Sequence, residues 1–196
     1  MVKPQAPRVV IFAGPNGAGK STHADAIVDA LGINTFVNAD YIARGLSGRN
    51  TDAVAMQAGR IMLTRLKALA AAQQDFAFES TLSSRSFAPF LRQLKAQGYL
   101  VAIYYFSLTS ASLAVRRVKL RVAMGGHDVP DGTVRRRYAR SLLNFHSLYL
   151  PLADRWVMFD NSITGKATLV AIQDGGDLQI KEPKPWLKLQ KLLTTC

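Results

Sequence analysis

The chain has little cysteine, few acidic residues and no long apolar run, and each shortage excludes something. Its one cysteine is the last residue, Cys196, so an internal disulfide and a thiolate metal cage are ruled out and a reducing compartment is expected. No His, Cys and carboxylate cluster has the spacing of a zinc site. The longest apolar runs, such as Leu100 to Phe106, have the length of a strand, well short of the ~20 residues that cross a bilayer. Met1 to Arg8 is followed only by the short run Val9 to Gly14, too brief for a signal peptide. The expected setting is cytoplasmic, without a membrane partner. Acidic residues number 13 against 25 Lys and Arg, a formal net charge of +12.

At 196 residues the chain has the length of one domain with its own core. Its hydrophobic content of 48% and charged content of 19% are those of a globular chain and not of a disordered one. The basic charge is concentrated. Residues 116–140 hold Arg116, Arg117, Lys119, Arg121, Arg135, Arg136, Arg137 and Arg140 against Asp128 and Asp131, and a smaller cluster, Lys181, Lys184, Lys188 and Lys191, occupies the tail over about 181–196. Such clusters imply an anionic partner: nucleotide phosphates, nucleic acid or a membrane surface.

Strand and helix patterns alternate along the chain. Arg8 to Ala13 reads as a buried strand, followed by a helix with Ala24, Ile27, Val28 and Leu31 on one face and Gly32 at its end. Asn34 to Asn38 is a short second strand. A helix over 51–74 opens at Thr51 or Asp52 and aligns Val54, Ala58, Ile61, Met62, Leu66 and Leu69. Phe76 to Phe78 is a strand ending at Glu79. A helix from about Ser86, with Pro89 in its first turn and Phe87, Phe90, Leu91 and Leu94 on its stripe, ends near Gly98. Tyr99 to Leu108 is a strand, Ser110 to Met124 a basic helix with Ala111, Val115, Val118 and Val122 inward, and after the loop Gly125 to Gly132 a second basic helix runs to about His146. Trp156 to Phe159 is a further strand. Strands separated by helices predict an α/β fold, a parallel sheet with helices on both faces.

Between the first strand and its helix stands Gly14-Pro15-Asn16-Gly17-Ala18-Gly19-Lys20-Ser21, a full match to the phosphate-binding loop G-x-x-x-x-G-K-[ST]. Its placement is the one the physics requires, because backbone N–H groups and the helix dipole then converge on phosphate oxygens. Lys20 reaches toward the β- and γ-phosphates of ATP and the Ser21 hydroxyl toward Mg²⁺; Thr22 completes the nucleotide-binding set. The plainer alternative is a glycine-rich turn with an incidental lysine.

A small-molecule kinase also needs a carboxylate for the acceptor hydroxyl, another near the metal, and cations for the transferring phosphoryl group. Asp40 and Glu79 each follow a strand at the sheet edge that faces the ligand crevice in open α/β folds. Asp40 is either a catalytic group or a helix N-cap; Glu79 follows an apolar strand, where an idle carboxylate is costly. The two basic helices, joined by Gly125-Gly126-His127-Asp128-Val129-Pro130-Asp131-Gly132, have the form of a lid over about 116–140 with glycine hinges at both ends. Arg117 and Arg121 are one turn apart, as are Arg136 and Arg140. The alternative is a solvated charged face, and His127 reads as a turn residue.

The phosphate loop, Asn38-Ala39-Asp40, Phe78-Glu79-Ser80-Thr81-Leu82-Ser83, Gly125 to Pro130 with Arg136-Arg137-Tyr138, and Asp160-Asn161-Ser162 together resemble the zeta-toxin-like P-loop kinases over about residues 8–172. The resemblance implies a kinase-like fold and transfer of the ATP γ-phosphate to a sugar hydroxyl of a UDP-activated amino sugar. It further implies that Lys20 holds phosphate, Asp40 is the general base, Glu79 positions the acceptor, and two lid arginines, Arg121 and Arg137 among several neighbours, stabilise the transition state. A protein antitoxin is the partner class it suggests. Two other readings stand beside it. A polynucleotide kinase or nucleic-acid binder is favoured by the charge and by lysines around Trp186, although Tyr138 is the one aromatic in the basic window; a nucleotide-switched regulatory module needs only the phosphate loop.

Overall fold

Val9 to Ala13 are buried at successive positions, as happens when a strand is covered on both faces. This strand, β1 (Arg8–Ala13), lies third in a seven-stranded sheet. The computed structural model describes residues 6–46, 51–126 and 128–194; the turn expected at His127, like Cys196, lies outside them. In chain order the elements after β1 are α1 (Lys20–Ala30), β2 (Phe36–Val37), α2 (Ala39–Gly45), α3 (Thr51–Ala71), β3 (Phe76–Ser80), α4 (Phe87–Ala96), β4 (Leu100–Ser107), α5 (Ala111–Ala123), α6 (Asp131–Asn144), β5 (Arg155–Ile163), β6 (Lys166–Asp174), β7 (Asp177–Ile180) and α7 (Pro183–Thr194). Between α6 and β5 the chain passes through a π-helical turn, Phe145–Tyr149, and a 3₁₀ turn, Leu150–Leu152.

The sheet order is β2-β3-β1-β4-β5-β6-β7. The first five strands pair in parallel, which is the expected α/β arrangement. Beyond β5 the sheet continues as an antiparallel meander, β5-β6-β7, turned by Gly165 and by Gly175-Gly176, all at positive φ. The period-two pattern of β6 is weak because its burial is uneven along the strand. Nothing in its residues announces the meander as plainly as the apolar runs announce β1 and β4.

Most helix faces follow the expected stripes. Ala24 and Val28 of α1 are buried, with Ile27 and Leu31 packed against the core; Gly32, at φ +64, and the bond from Ile33 N–H to the Val28 carbonyl close its end. Two helix boundaries and one stripe position differ. The long helix stops at Ala71, where Gln73 turns to φ +52 and Gln74 N–H reaches the Leu69 carbonyl. Ile61 is exposed instead of joining Met62, Leu66 and Leu69 inside. The second basic helix begins at Asp131, because Pro130 supplies a carbonyl that accepts from Thr133 and Val134 N–H while offering no N–H itself. Gly132 therefore sits in the first turn of α6, and among the described residues of that connection Gly125, at φ +86, is the left-handed hinge.

The basic tail is the largest departure. It forms α7, which returns to the sheet and stacks Trp186 on Trp156, ring centroids 5.8 Å apart and ring planes nearly parallel. Phe145 meets Trp156 edge-on, so the helix end, β5 and the tail share one aromatic cluster. Replacing Trp186 by Ala should cost about 3 kcal/mol, the loss typical of a large buried aromatic, read as a lower urea midpoint from Trp156 fluorescence. A loss within experimental error would mean that α7 does not pack as described. Among the described residues, no helix is long and apolar enough to cross a membrane.

Candidate functional site

Sheet register brings the site together. Phe12 of β1 pairs with Glu79 of β3, so Glu79 stands one strand away from the point where the chain enters the phosphate loop. The loop needs its glycines for space as well as for φ. Gly14, Gly17 and Gly19 have φ of +139, +76 and +76, and a Cβ on Gly14 would lie 2.2 Å from the Phe106 carbonyl oxygen. One on Gly19 would lie 2.4 Å from Asn161 Nδ2. The result is a narrow backbone cradle at the N-terminus of α1, where the helix dipole favours an anion.

Lys20 is only 6% exposed. Its ammonium donates to the Pro15 carbonyl at 3.1 Å and lies 3.5 Å from Glu79 Oε1. Glu79 Oε2 accepts from the Ser21 hydroxyl at 2.6 Å and from Asn38 Nδ2 at 3.0 Å. A hydroxyl and a carboxylate side by side at a phosphate cradle fit Mg²⁺, which takes oxygen ligands and is commonly held by one or two protein groups plus substrate phosphates. The donor set, one buried ammonium and the N-terminal amides of α1, fits the polyphosphate of ATP. The residues present therefore suit both groups.

Asn38 also settles which residue caps α2. Its Oδ1 accepts from Asp40 N–H at 2.8 Å, so Asn38 is the N-cap and the Asp40 side chain is left free of capping. Asp40 is 52% exposed and its Oδ2 lies 3.9 Å from Arg121 Nη1, across the gap from α2 to α5. Arg137, on α6, turns inward while Arg136 and Arg140 stay exposed. Burial and the neighbouring Arg136 lower the Arg137 pKa from its ordinary value, and Asp40 opposes that shift. Of the two arginines singled out from the sequence, Arg121 faces the Asp40 carboxylate and Arg137 lies within range of its charge. Arg117, one turn before Arg121 on α5, does something else: it donates to the Asn161 carbonyl at 2.6 Å and the Ser162 carbonyl at 3.0 Å.

Two bracing residues had no assigned role in the sequence. Asn161, at the end of β5, donates to the Ala18 carbonyl at 2.8 Å and holds the phosphate loop from the side. Asn144 of α6 donates to the carbonyl of Leu82, a buried residue at φ +50 in the segment after Glu79. A leucine in the left-handed region is strained, and the tie to α6 fixes it. Asn161 belongs to a motif noted in the sequence; Asn144 belongs to none, and only the crossing of α6 over the β3 end reveals it.

The AAA domain family matches residues 9–141, more than half of the chain. The chain belongs to the AAA domain family. An uncharacterized protein of Haemophilus influenzae is 29% identical over 131 residues, covering 67% of this chain and 92% of its own length. Among solved structures, AvrRxo1-ORF1:-ORF2 with ATP aligns at a TM-score of 0.76 and 15% identity over 95% of this chain. The chain spans 64% of the length of that structure's chain. The PezAT chromosomal toxin-antitoxin system of Streptococcus pneumoniae aligns at 0.58 and 14% identity, over 100% of this chain and 88% of that one. At such identities the likeness is one of fold, and the fold of this AAA domain is P-loop kinase-like.

The contacts of Glu79 predict a metal-linked phenotype. In Glu79→Gln the carboxylate that accompanies Ser21 is gone, so the gain in ATP affinity on adding Mg²⁺ should fall about tenfold, the size expected when a charge-assisted ligand is lost. Titration calorimetry with and without Mg²⁺ measures it; an unchanged metal dependence would put Glu79 outside the metal's reach.

Proposed function

We propose that this chain is an ATP-dependent phosphotransferase that passes the γ-phosphoryl group to a hydroxyl of a small polar substrate, with a UDP-amino sugar as the first acceptor class to test. The observation that carries the reading is one unbroken hydrogen-bonded path: Asp40 N–H to Asn38, Asn38 to Glu79, and Glu79 to Ser21 beside Lys20. It ties the backbone of Asp40, whose carboxylate faces Arg121, to the phosphate cradle through two side chains. ATP and Mg²⁺, when bound, supply the phosphoryl group and neutralise part of its charge. Lys20 and the loop amides hold the phosphates, Ser21 and Glu79 hold the metal, and Asp40 takes the proton of the acceptor hydroxyl. Arg121 and Arg137, on the lid formed by α5 and α6, meet charge developing on the transferring group. In this reading residues 1–196 are a single cytoplasmic P-loop kinase domain, and a protein antitoxin is its candidate partner.

A hollow of about 500 Å³ lies beside α2, with Asp40 next to its lining but not in it. Its lining includes Asn38 and Tyr41, the residues that bracket Ala39-Asp40, together with Phe36 and Arg65. The nucleic-acid alternative loses its stacking surfaces. Trp186 is buried against Trp156, and Tyr138 is buried with its hydroxyl donating to the Leu108 carbonyl at 2.7 Å. Binding to single-stranded RNA should then be weak and collapse as salt rises, because phosphate contacts alone remain. The deciding experiment follows ATP consumption with pools of nucleotide sugars, nucleosides and short oligonucleotides. Turnover should appear with a small-molecule pool; efficient phosphorylation of an oligonucleotide end would instead make the chain a polynucleotide kinase. ATP binding without turnover on any pool would favour a nucleotide-switched module.

A further inference from the structure

A second cavity, of about 250 Å³, opens at the carboxyl ends of β4 and β5, under α6 and α7. Strand alternation separates it from the phosphate loop. Phe159 stacks on Phe106, which stacks on His23 of α1, and Asn161 reaches Ala18. Trp156 faces α7, and Met158 and Asp160 follow it into the cavity on that other side of the sheet. Leu108, Leu142, Met158 and the ring of Tyr138 make its walls apolar.

The polar groups around it divide into two sets. Ser107 and Tyr138 are spent internally, donating to the carbonyls of Phe159 and Leu108. Lys184 and Lys188 stand at the mouth, four residues apart and so on one face of α7. Lys188 donates one hydrogen bond, to the Thr109 carbonyl at 3.3 Å, which leaves two of its three N–H donors. Asp160 is the one carboxylate in the lining; its Oδ1 accepts from the backbone N–H and hydroxyl of Ser162. Two ammonium groups against one carboxylate leave a single positive charge over an apolar recess. The volume is below the roughly 300–1,000 Å³ of clefts that take drug-sized ligands, so a single ring or a short branched chain fills it.

We propose that this cavity binds a small amphipathic monoanion, an aromatic or short aliphatic carboxylate, whose apolar body rests on Leu142, Met158 and Tyr138 and whose carboxylate lies between Lys184 and Lys188. A carboxylate suits the site better than a phosphate dianion, because Asp160 cancels one of the two lysine charges. The site is independent of the phosphotransferase reading, since it shares no residue with the phosphate loop, Asp40 or Glu79.

The test uses the full chain labelled with ¹³C at its methionine methyl groups, the Met158 resonance being assigned with Met158→Leu. Benzoate, phenylacetate and 4-methylpentanoate are titrated beside their neutral amides, all in the presence of Mg²⁺-ATP. The carboxylates should shift the Met158 resonance saturably and the amides should bind at least about tenfold more weakly, the ratio expected for charge-assisted hydrogen bonds. The double substitution Lys184→Gln with Lys188→Gln, at exposed positions, should remove that preference. The proposal is overturned if no carboxylate moves the Met158 resonance at roughly 10 mM, a concentration that reveals even millimolar affinities. It is equally overturned if amides bind as well as acids, or if the lysine substitutions change nothing.

Discussion

Lys20→Ala should abolish the thermal stabilisation that Mg²⁺-ATP confers on the native chain. At a concentration about a hundredfold above Kd, a ligand that binds only the folded state adds roughly 2.7 kcal/mol. For a chain of this size that corresponds to a rise in Tm of roughly 5–10 °C, and the variant should show none. The size of the effect follows from burial: Lys20 is 6% exposed, with its ammonium held between the Pro15 carbonyl and Glu79. Lys20 is the one lysine of the loop and α1, and an ammonium in a water-poor cradle meets phosphate with little screening. The unliganded variant should still fold, because Glu79 keeps its bonds from Ser21 and Asn38; a loss of about 1–3 kcal/mol is expected from the missing charge partner. A native chain with no shift in millimolar Mg²⁺-ATP would remove nucleotide binding from the account altogether.

Asp40→Asn should lower kcat by about two to four orders of magnitude, the range associated with a lost general base, while leaving ATP affinity within a few-fold. The separation is expected because Asp40 touches none of the phosphate-loop residues; its connection to them runs through its backbone N–H and Asn38, which the substitution preserves. The fold should tolerate the change, since a half-exposed pair with Arg121 at 3.9 Å contributes little to stability. Arg121→Ala and Arg137→Ala should each depress turnover more than ATP affinity if they meet charge that develops only in the transition state. Nucleotide titration beside turnover on the identified acceptor measures all three. Full activity in Asp40→Asn would reduce Asp40 to the first turn of α2 and nothing more.

The parts of the site legible in the sequence are those carried by local chemistry. A phosphate loop is contiguous, so Gly14 to Ser21 announce both the turn and its ligand class. Asp40 and Glu79 are visible because each stands at the carboxyl end of an apolar strand pattern. The capping of α2 is not: Asn38 and Asp40 are both good caps, and the choice between them rests on Asn38 spanning from Asp40 N–H to Glu79. The arginines of α5 show the same limit. Arg117 and Arg121 are equivalent by helical spacing, yet one is used up on the carbonyls of Asn161 and Ser162 and the other approaches Asp40.

The α/β alternation, the phosphate loop and the segregation of basic charge follow from residue order alone, because strand and helix periods, glycine placement and residue charge are properties of neighbours along the chain. The tertiary structure decided the rest. It brought Glu79 beside Ser21 through the pairing of β1 with β3, and turned the basic tail into a helix by giving Trp186 the face of Trp156. It also extended the parallel sheet with an antiparallel meander and strained Leu82 against Asn144. Each of these depends on a contact between residues far apart in the chain. Such contacts form only when the burial they gain exceeds the entropy of closing the intervening loops, a comparison that no local pattern of residues expresses.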